Sequence, residues 1–205
     1  MKNPLHYQMT EYDCGPTSLM NAVSFLFERE KIPPELIRNI MLYCLDCYGE
    51  EGSPGKRGTS RAAMMFLSSW LDGFGKTGKL PISSRYLSGS AVNLREDGEL
   101  RDALHRQGAA VVRLYSEVPH YVLFTGITEE AILLFDPYYE ETIPETDVTI
   151  VLDHPTEYNR IVPFARFDQE TEELYSLGKI DEREAILLFD QETELTDEKT
   201  IEYFI

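Results

Sequence analysis

The chain has 205 residues, of which 42% are hydrophobic and 27% are charged. This length and composition are typical of a folded globular domain and exclude a wholly disordered chain. No apolar run reaches the roughly 20 residues that a membrane helix needs, so we expect no membrane segment. Acidic residues outnumber basic ones by 36 to 19, and this excess excludes a basic surface for nucleic acid, so we expect no nucleic-acid partner.

The cysteines and the start of the chain indicate a reducing compartment. Three cysteines, Cys14, Cys44 and Cys47, do not make the paired framework of a small secreted domain. Residues 1–8 lack the apolar segment of a signal peptide, which predicts a cytoplasmic location. Cys44 and Cys47 form a CxxC pair late in a predicted helix, without further ligands at metal spacing. We therefore predict core packing for this pair and neither a metal nor a cofactor in the protein.

The first half of the chain predicts helices. Apolar residues at helical spacing predict a helix over residues 14–29, with Asp13 or Cys14 as its cap. A second helix is predicted after Pro33-Pro34, with an apolar face of Ile37, Ile40, Met41, Cys44 and Tyr48. A third begins after Thr59 or Ser60 and buries Ala62, Met65, Phe66 and Trp70. Residues 72–94 predict a long connection with room for a short strand, and a helix over 96–107 ends at Gly108.

The pattern then changes to β-branched and aromatic runs, which predict strands. These runs cover residues 109–115, 121–127, 131–135, 148–152, 160–167 and 184–189. Helices followed by antiparallel strands predict an α+β fold. The heptapeptide EAILLFD occurs at 130–136 and again at 184–190, which indicates two similar buried strands rather than a true repeat.

The charge changes near residue 139. Residues 140–205 contain 19 acidic and 5 basic residues, so they carry −14 of the total charge of −17. We therefore predict two parts, a core over residues 1–139 and an acidic, strand-containing C-terminal extension over 140–205 that packs on the sheet. Such an acidic segment is typical of a solubilising surface, and it would also attract basic peptide segments.

Cys14 is a candidate nucleophile because it stands at the predicted start of a helix. Unpaired backbone N–H groups and the positive end of the helix dipole favour a thiolate at that position. Gly15 leaves room beside the sulfur for a substrate carbonyl. Gln8 carries two amide N–H donors, which together with the Cys14 backbone N–H would hold the oxygen that gains charge during acyl transfer.

His120 and Asp136 are candidates for the base and its orienting carboxylate. His120 begins one predicted strand and Asp136 follows the next. A hairpin with a three- or five-residue loop around Thr128 would place the two residues directly opposite each other on one face. A two- or four-residue loop would instead turn Asp136 to the other face. The sequence thus predicts a catalytic triad whose assembly depends on strand register.

These residues resemble a known family. The segment from Gln8 to Ser18, with Asp13-Cys14-Gly15 inside it, is followed by His120 before an apolar strand and by Asp136-Pro137. This order is similar to that of the papain-like cysteine peptidases, and most of all to the bacteriocin-processing peptidases that cut after double-glycine leaders and their stand-alone relatives. The resemblance spans about residues 5–140 of this chain.

The resemblance implies a two-lobed fold, with N-terminal helices carrying the cysteine and an antiparallel sheet carrying the histidine and aspartate. It implies that Cys14 is the nucleophile, His120 the base, Asp136 the orienter and Gln8 the oxyanion donor. The substrate would be a peptide or protein. The bacteriocin processors are usually fused to a transporter, and this chain has no transporter segment, so a separate transporter partner is left open.

Three functions remain open at this point. The first is a peptidase that hydrolyses a peptide or isopeptide bond through a thioester. The second is an acyltransferase that uses the same residues to pass the acyl group to an amine. The third is a peptidase-like module that binds a protein and turns nothing over. The sequence does not separate them, because all three would keep the same motif residues.

Overall fold

The helices and strands follow one another in the order that the sequence predicts. The computed structural model describes residues 1–195, so the last ten residues of the predicted C-terminal extension lie outside the described part. The helices are α1 (Cys14–Leu26), α2 (Pro34–Tyr43), α3 (Arg61–Gly75) and α4 (Glu99–His105). The strands are β1 (Ile82–Ser88), β2 (Ala109–Ser116), β3 (Val118–Ile127), β4 (Ala131–Phe135), β5 (Thr149–Ile150), β6 (Arg160–Pro163) and β7 (Glu184–Asp190). The predicted α+β class is confirmed.

All seven of these strands belong to one antiparallel sheet, in the order β1-β7-β2-β3-β4-β6-β5. β7 pairs with β1 on one side and with β2 on the other. Strands from both sides of the predicted boundary at residue 139 therefore share one sheet, while the division into two parts stays a prediction. The two copies of EAILLFD form β7 and most of β4, so they occupy separate strands.

The sheet buries both of its faces, and this follows from the alternation of side chains along each strand. In β2, Val111 packs with residues of α1, α2 and α3, whereas Val112 packs with residues of α4 and of the segments after β4. Both valines are completely buried. A strand that is covered on both faces reads as a continuous apolar run, which is the pattern of residues 109–112.

Two predicted helix faces are partly wrong. α2 buries Leu36 and Ile40, whereas Met41 is 45% exposed and Tyr48 lies beyond the helix. α3 buries a stripe one position away from the predicted one, consisting of Ala63, Met64, Leu67 and Leu71. Met65 and Phe66 are 52% and 44% exposed. Almost every position in this stretch of α3 is apolar, so the periodicity alone does not select one face.

The ends of the helices explain other differences from the prediction. α1 stops at Leu26, because Phe27 adopts an extended conformation. Ser60 caps α3 by accepting a hydrogen bond of 3.1 Å from the Ala63 N–H, as the sequence predicts. α4 ends at His105, and Gln107 rather than Gly108 adopts the left-handed conformation, with φ 63°. Among residues 1–195, no helix has the length and apolar character needed to cross a membrane.

Candidate active site

Cys14 is the first residue of α1, directly after the N-cap residue Asp13. It is 8% exposed and packs within the core cluster beneath the sheet. Its side chain also lines a cavity of about 510 Å³, together with Gly58 and Thr59. Cys14 therefore lies between the core and a cavity, at the helix end where the backbone N–H groups of the first turn are unpaired.

Gly15 has a different role from the predicted one. A Cβ atom on this residue would lie 2.6 Å from the Thr59 Oγ1 atom, which is closer than real Cβ atoms approach other atoms. The space beside Gly15 is therefore filled by Thr59 and is not left open for a substrate. The glycine allows the start of α1 to pack tightly against the segment that precedes α3.

Asp13 does not cap α1 with its side chain. Its carboxylate instead accepts hydrogen bonds from the backbone N–H groups of Met9 and Thr10, at 2.9 and 2.6 Å. Burial opposes the charge, but the Thr10 hydroxyl and the two N–H groups outweigh it and hold the pKa of Asp13 below its usual value. The aspartate thereby holds the loop over residues 9–13 in place directly before the nucleophile candidate.

Gln8 lies in the same loop, next to the segment that follows β4. Its backbone N–H donates to the Pro137 carbonyl at 2.8 Å. Its side-chain Nε2 donates to the Thr10 carbonyl at 2.7 Å, which leaves one of the two amide N–H groups for a ligand. The buried Oε1 atom has no hydrogen-bond partner among the described residues. Gln8 and His120 line the same cavity, and the oxyanion role of Gln8 stays a prediction.

His120 and Asp136 are in direct contact. The His120 Nε2 atom lies 2.8 Å from the Asp136 Oδ1 atom, and the two residues are 7% and 3% exposed. Because Nε2 is held by the carboxylate, Nδ1 is the ring nitrogen that remains for another partner. The structure thus joins two residues that the sequence predicts to act together.

The contact is diagonal across the hairpin, so the predicted direct opposition of the two residues is wrong. β3 pairs with β4 through Leu123 and Phe135. Continuing that register by one step places Val122 opposite Asp136, and His120 lies two residues further along β3. Diagonal neighbours of this kind share a face of the sheet, and long side chains can still reach each other.

A β-bulge puts the two side chains on the same face. The last pair of the hairpin is Ile127 with Ile132, which leaves four residues in the loop. A regular ladder from that pair would place His120 and Asp136 on opposite faces. The register shifts where β3 contains one extra residue, Thr125. This extra residue restores the alternation that brings the histidine and the aspartate together.

Asp136 is held from several directions. The Asn159 side chain clamps its backbone, since Oδ1 accepts from the Asp136 N–H at 2.7 Å and Nδ2 donates to the Asp136 carbonyl at 2.8 Å. The Tyr138 N–H donates to Oδ1 at 2.8 Å. Burial opposes the charge, but the His120 imidazolium, this N–H group and Arg160 hold the pKa of the Asp136 carboxyl below its usual value.

The surroundings of His120 favour its charged form. Burial opposes the charge, but the charge and hydrogen bond of Asp136, together with a hydrogen bond and a charge contribution from Cys14, raise the pKa of His120 to about 10. Cys14 is therefore close enough to the imidazole to interact with it. An imidazolium between a sulfur and a carboxylate is the arrangement in which a thiolate is paired with a proton donor.

A hydrogen bond links α1 to β3 close to Cys14 and His120 in the sequence. The Ser18 hydroxyl donates to the Tyr121 carbonyl at 3.0 Å, and both residues are buried. Ser18 lies one turn after Cys14, and Tyr121 follows His120 in the chain. This bond ties the start of the helix to the start of the strand.

The cavity beside Cys14 contains a buried carboxylate that the sequence analysis missed. Glu184, the first residue of β7, is 2% exposed and lines this cavity. It accepts hydrogen bonds from the hydroxyls of Tyr121 and Tyr86 at 2.7 and 2.8 Å. Glu130 begins the other copy of the heptapeptide and is exposed, so the repeated sequence does not indicate which glutamate is buried.

A second cavity, of about 570 Å³, adjoins His120 and Gln8. Apart from His120, the charged residues of its wall are all acidic, because neither lysine nor arginine lines it. The glutamates that line it are Glu11, Glu117, Glu140, Glu145, Glu172 and Glu173. Four of these six lie within residues 140–205, so the acidic C-terminal region contributes to the surface next to the candidate active site.

The CxxC pair follows α2 instead of lying within it. α2 ends at Tyr43, so neither Cys44 nor Cys47 lies in the predicted helix. Cys44 packs in the core, and burial raises the pKa of its thiol to about 12. Within residues 1–195, no cluster of three or more histidine, cysteine or acidic side chains has a metal-binding arrangement.

The chain matches no protein-family model. No curated protein matches it either. The resemblance to papain-like cysteine peptidases therefore depends on the motif residues in the sequence. Support for a function comes from the geometry around Cys14, His120 and Asp136.

Proposed function

We propose that this protein is a papain-like cysteine peptidase that hydrolyses a peptide or isopeptide bond. The observation that carries the proposal is the buried 2.8 Å bond between His120 and Asp136, with Cys14 acting on the same imidazole. A thiolate at a helix start, a histidine and an orienting carboxylate are the parts that nucleophilic acyl transfer requires. In this proposal, the helices around Cys14 would form one lobe of that fold, and the sheet that carries the other two residues would form the second.

In the proposed reaction, the Cys14 thiolate attacks the carbonyl carbon, and the carbonyl oxygen becomes an oxyanion. The Cys14 backbone N–H and the free N–H of the Gln8 amide hold this oxygen. The His120 imidazolium then gives its proton to the leaving amine as the C–N bond breaks, which leaves a thioester on Cys14. Water attacks the thioester while His120 takes up a proton from it, and the C–S bond then breaks, which releases the acid and restores the Cys14 thiolate and the His120 imidazolium.

The charge of the second cavity supports a basic substrate. Six glutamates line the cavity that adjoins His120, and this side of the site would receive one flank of the scissile bond. Lysine or arginine residues in that flank would complement the wall and would be attracted before they bind. We therefore propose basic peptides as the substrate class.

We also propose that the protein is located in the cytoplasm. Free cysteines are typical of proteins in that compartment, and Cys14, Cys44 and Cys47 form no disulfide.

Digestion of a peptide library tests the proposal. We expect the unaltered protein to cleave a subset of peptides and Cys14→Ala to cleave none of them. Iodoacetamide near neutral pH is expected to label Cys14 before Cys44, because burial raises the pKa of Cys44 to about 12. Replacing His120 with Ala is expected to abolish the selective labelling, because the imidazolium that stabilises the thiolate is lost.

The same experiments distinguish the other functions. Products in which an added amine carries the acyl group would indicate an acyltransferase instead of a hydrolase. Labelling of all three cysteines at equal rates, and only after unfolding, would indicate a binding module without activity. Cleavage that persists in Cys14→Ala would contradict the proposed nucleophile.

A further inference from the structure

The second oxygen of Asp136 has its own hydrogen-bond donor. Oδ1 faces His120, whereas Oδ2 accepts a 3.0 Å bond from the hydroxyl of Tyr175. Tyr175 is 1% exposed, and it lies 39 residues beyond Asp136 in the chain. Burial and the charge of Asp136 raise the pKa of Tyr175 well above its ordinary value, so the hydroxyl keeps its proton and acts as a donor.

The backbone of Tyr175 is held in an unusual conformation. Its φ of 64° lies in the left-handed region, which costs free energy for a residue with a bulky side chain. Backbone bonds on both sides of Tyr115 in β2 maintain it. The Tyr175 N–H donates to the Tyr115 carbonyl at 2.7 Å, and the Tyr115 N–H donates to the Ser176 carbonyl at 3.0 Å. The fold thus directs this hydroxyl at the carboxylate in spite of the strained backbone.

The charged and titratable groups that face Asp136 and His120 come from several elements of the fold. Asp136 faces His120 from β3, Arg160 from β6 and Tyr175 from the segment before β7. His120 also faces Cys14 from α1. Arg160 is 1% exposed and donates to the carbonyls of Asn159 and Glu140 at 2.9 and 3.2 Å. Glu140 is another charged group near Asp136, and the two carboxylate charges repel each other.

We infer that Tyr175 is a positioning residue of the active site, whose hydroxyl keeps the Asp136 carboxylate ionised and turned toward His120. A carboxylate rotates readily about its last bond, so a donor on one oxygen fixes the direction of the other. A hydrogen bond to the ionised form also favours that form. The acidic C-terminal region thereby has a role in the triad itself. The catalytic part of this inference depends on the proposed function, whereas the hydrogen-bond part does not.

Tyr175→Phe tests the inference, because it removes the hydroxyl and keeps the ring. Titration of ¹³C-labelled aspartate by NMR follows the carboxyl of Asp136, and Asp136→Asn assigns its signal. We expect the Asp136 midpoint to rise by about 1 pH unit, the size of one lost hydrogen bond to a charged group. On a peptide that the enzyme cleaves, we expect kcat to fall ~10-fold while KM stays unchanged.

Tyr86→Phe is the matched control, because its hydroxyl donates at 2.8 Å to Glu184 instead of Asp136. It is expected to leave the Asp136 titration unchanged. An unchanged Asp136 midpoint in Tyr175→Phe would overturn the inference, even if kcat fell. If no turnover depends on Cys14 in the unaltered protein, the proposed function fails and the titration still decides the hydrogen bond.

A measurement on the unaltered protein covers the case in which Tyr175→Phe does not fold. The hydroxyl proton of Tyr175 is expected to exchange slowly with solvent, because the residue is 1% exposed and its donor bond is made inside the protein. Exchange as fast as that of an exposed tyrosine hydroxyl would overturn the inference. Slow exchange that becomes fast in Asp136→Asn would support it.

Discussion

His120 and Asp136 share a 2.8 Å hydrogen bond although neither residue is paired with the other in the sheet. They meet diagonally, and one extra residue in β3 decides that they meet at all. The bulge increases the local twist and turns the side chains that follow it. The pair is 7% and 3% exposed, so solvent screens its electrostatic coupling very little.

The first prediction concerns pH and the His120–Asp136 pair. Because Asp136 helps to raise the pKa of His120 to about 10, the pair stabilises the fold fully below the unfolded histidine pKa of ~6.5. That contribution is lost as the pH rises through about 10. The lowered pKa of Asp136 acts in the opposite direction, so its contribution is lost as the pH falls below ~4.

Urea unfolding of the unaltered protein and of Asp136→Asn across this range measures the effect. We expect the difference in unfolding free energy to be largest near pH ~5–6 and to decrease toward both ends. Tyrosine and lysine side chains that do not contact Asp136 titrate alike in both proteins, so their effects cancel in the difference. Tyr175 contacts Asp136, but its pKa lies well above the ordinary tyrosine value. A difference that stays constant between pH 6 and 10 would contradict the coupling.

The second prediction concerns the glutamates that adjoin His120. Replacing Glu117 and Glu172 by Gln removes two charges from the cavity wall while keeping the size of the side chains. We expect kcat/KM for lysine- or arginine-rich peptides to fall by roughly tenfold at low ionic strength, because attraction of the substrate is weakened. Added salt should reduce the difference, since charges are screened beyond about 10 Å at 0.1 M.

The control for this experiment is a double change of Glu129 and Glu130 to Gln. Both residues are exposed and lie at the β3–β4 turn, outside the cavity. This variant has the same change in net charge, so it separates the cavity from the general charge of the protein. Equal effects of the two double changes would show that the cavity has no special part in attracting the substrate.

The third prediction compares the two copies of the heptapeptide. Glu184→Ala would leave the buried hydroxyl of Tyr121 and the partly buried hydroxyl of Tyr86 without their acceptor. We expect a loss of about 1–3 kcal/mol in unfolding free energy for each unpaired group that stays buried. Glu130→Ala changes the equivalent, exposed residue and should alter stability by no more than ~0.5 kcal/mol. Urea denaturation of both variants gives the comparison, and similar values would rule out a structural role for Glu184.

The fourth prediction concerns the packing of α1. Gly15→Ala places a Cβ 2.6 Å from the Thr59 Oγ1 atom, so the start of the helix or the segment before α3 has to move. We expect a loss of about 1–3 kcal/mol in stability and slower labelling of Cys14. Gly73→Ala in α3 is the control, because its Cβ meets no atom within 4 Å, and it should stabilise by ~0.5–1 kcal/mol. Equal stability of the two variants would contradict the prediction that the contact with Thr59 leaves no room for a Cβ at residue 15.

The sequence by itself determined the features that depend on neighbouring residues. Apolar spacing and turn residues predict the helices and most of the strands, and the β4 bounds agree with the structure at Ala131 and Phe135. The predicted cap at Asp13 or Cys14 agrees with the start of α1 at Cys14. These signals are local, since each depends on the conformation of one segment and on which of its sides is apolar.

Only the tertiary structure decided what surrounds the candidate site. The Thr125 bulge, the Asn159 clamp and the Tyr175 hydroxyl bring residues 16 to 39 positions apart in the chain to one residue, Asp136. Glu184 is buried because β7 lies between β1 and β2, whereas Glu130 in the same heptapeptide is exposed. Contacts of this kind depend on the register and order of distant strands, and no spacing within one segment specifies them.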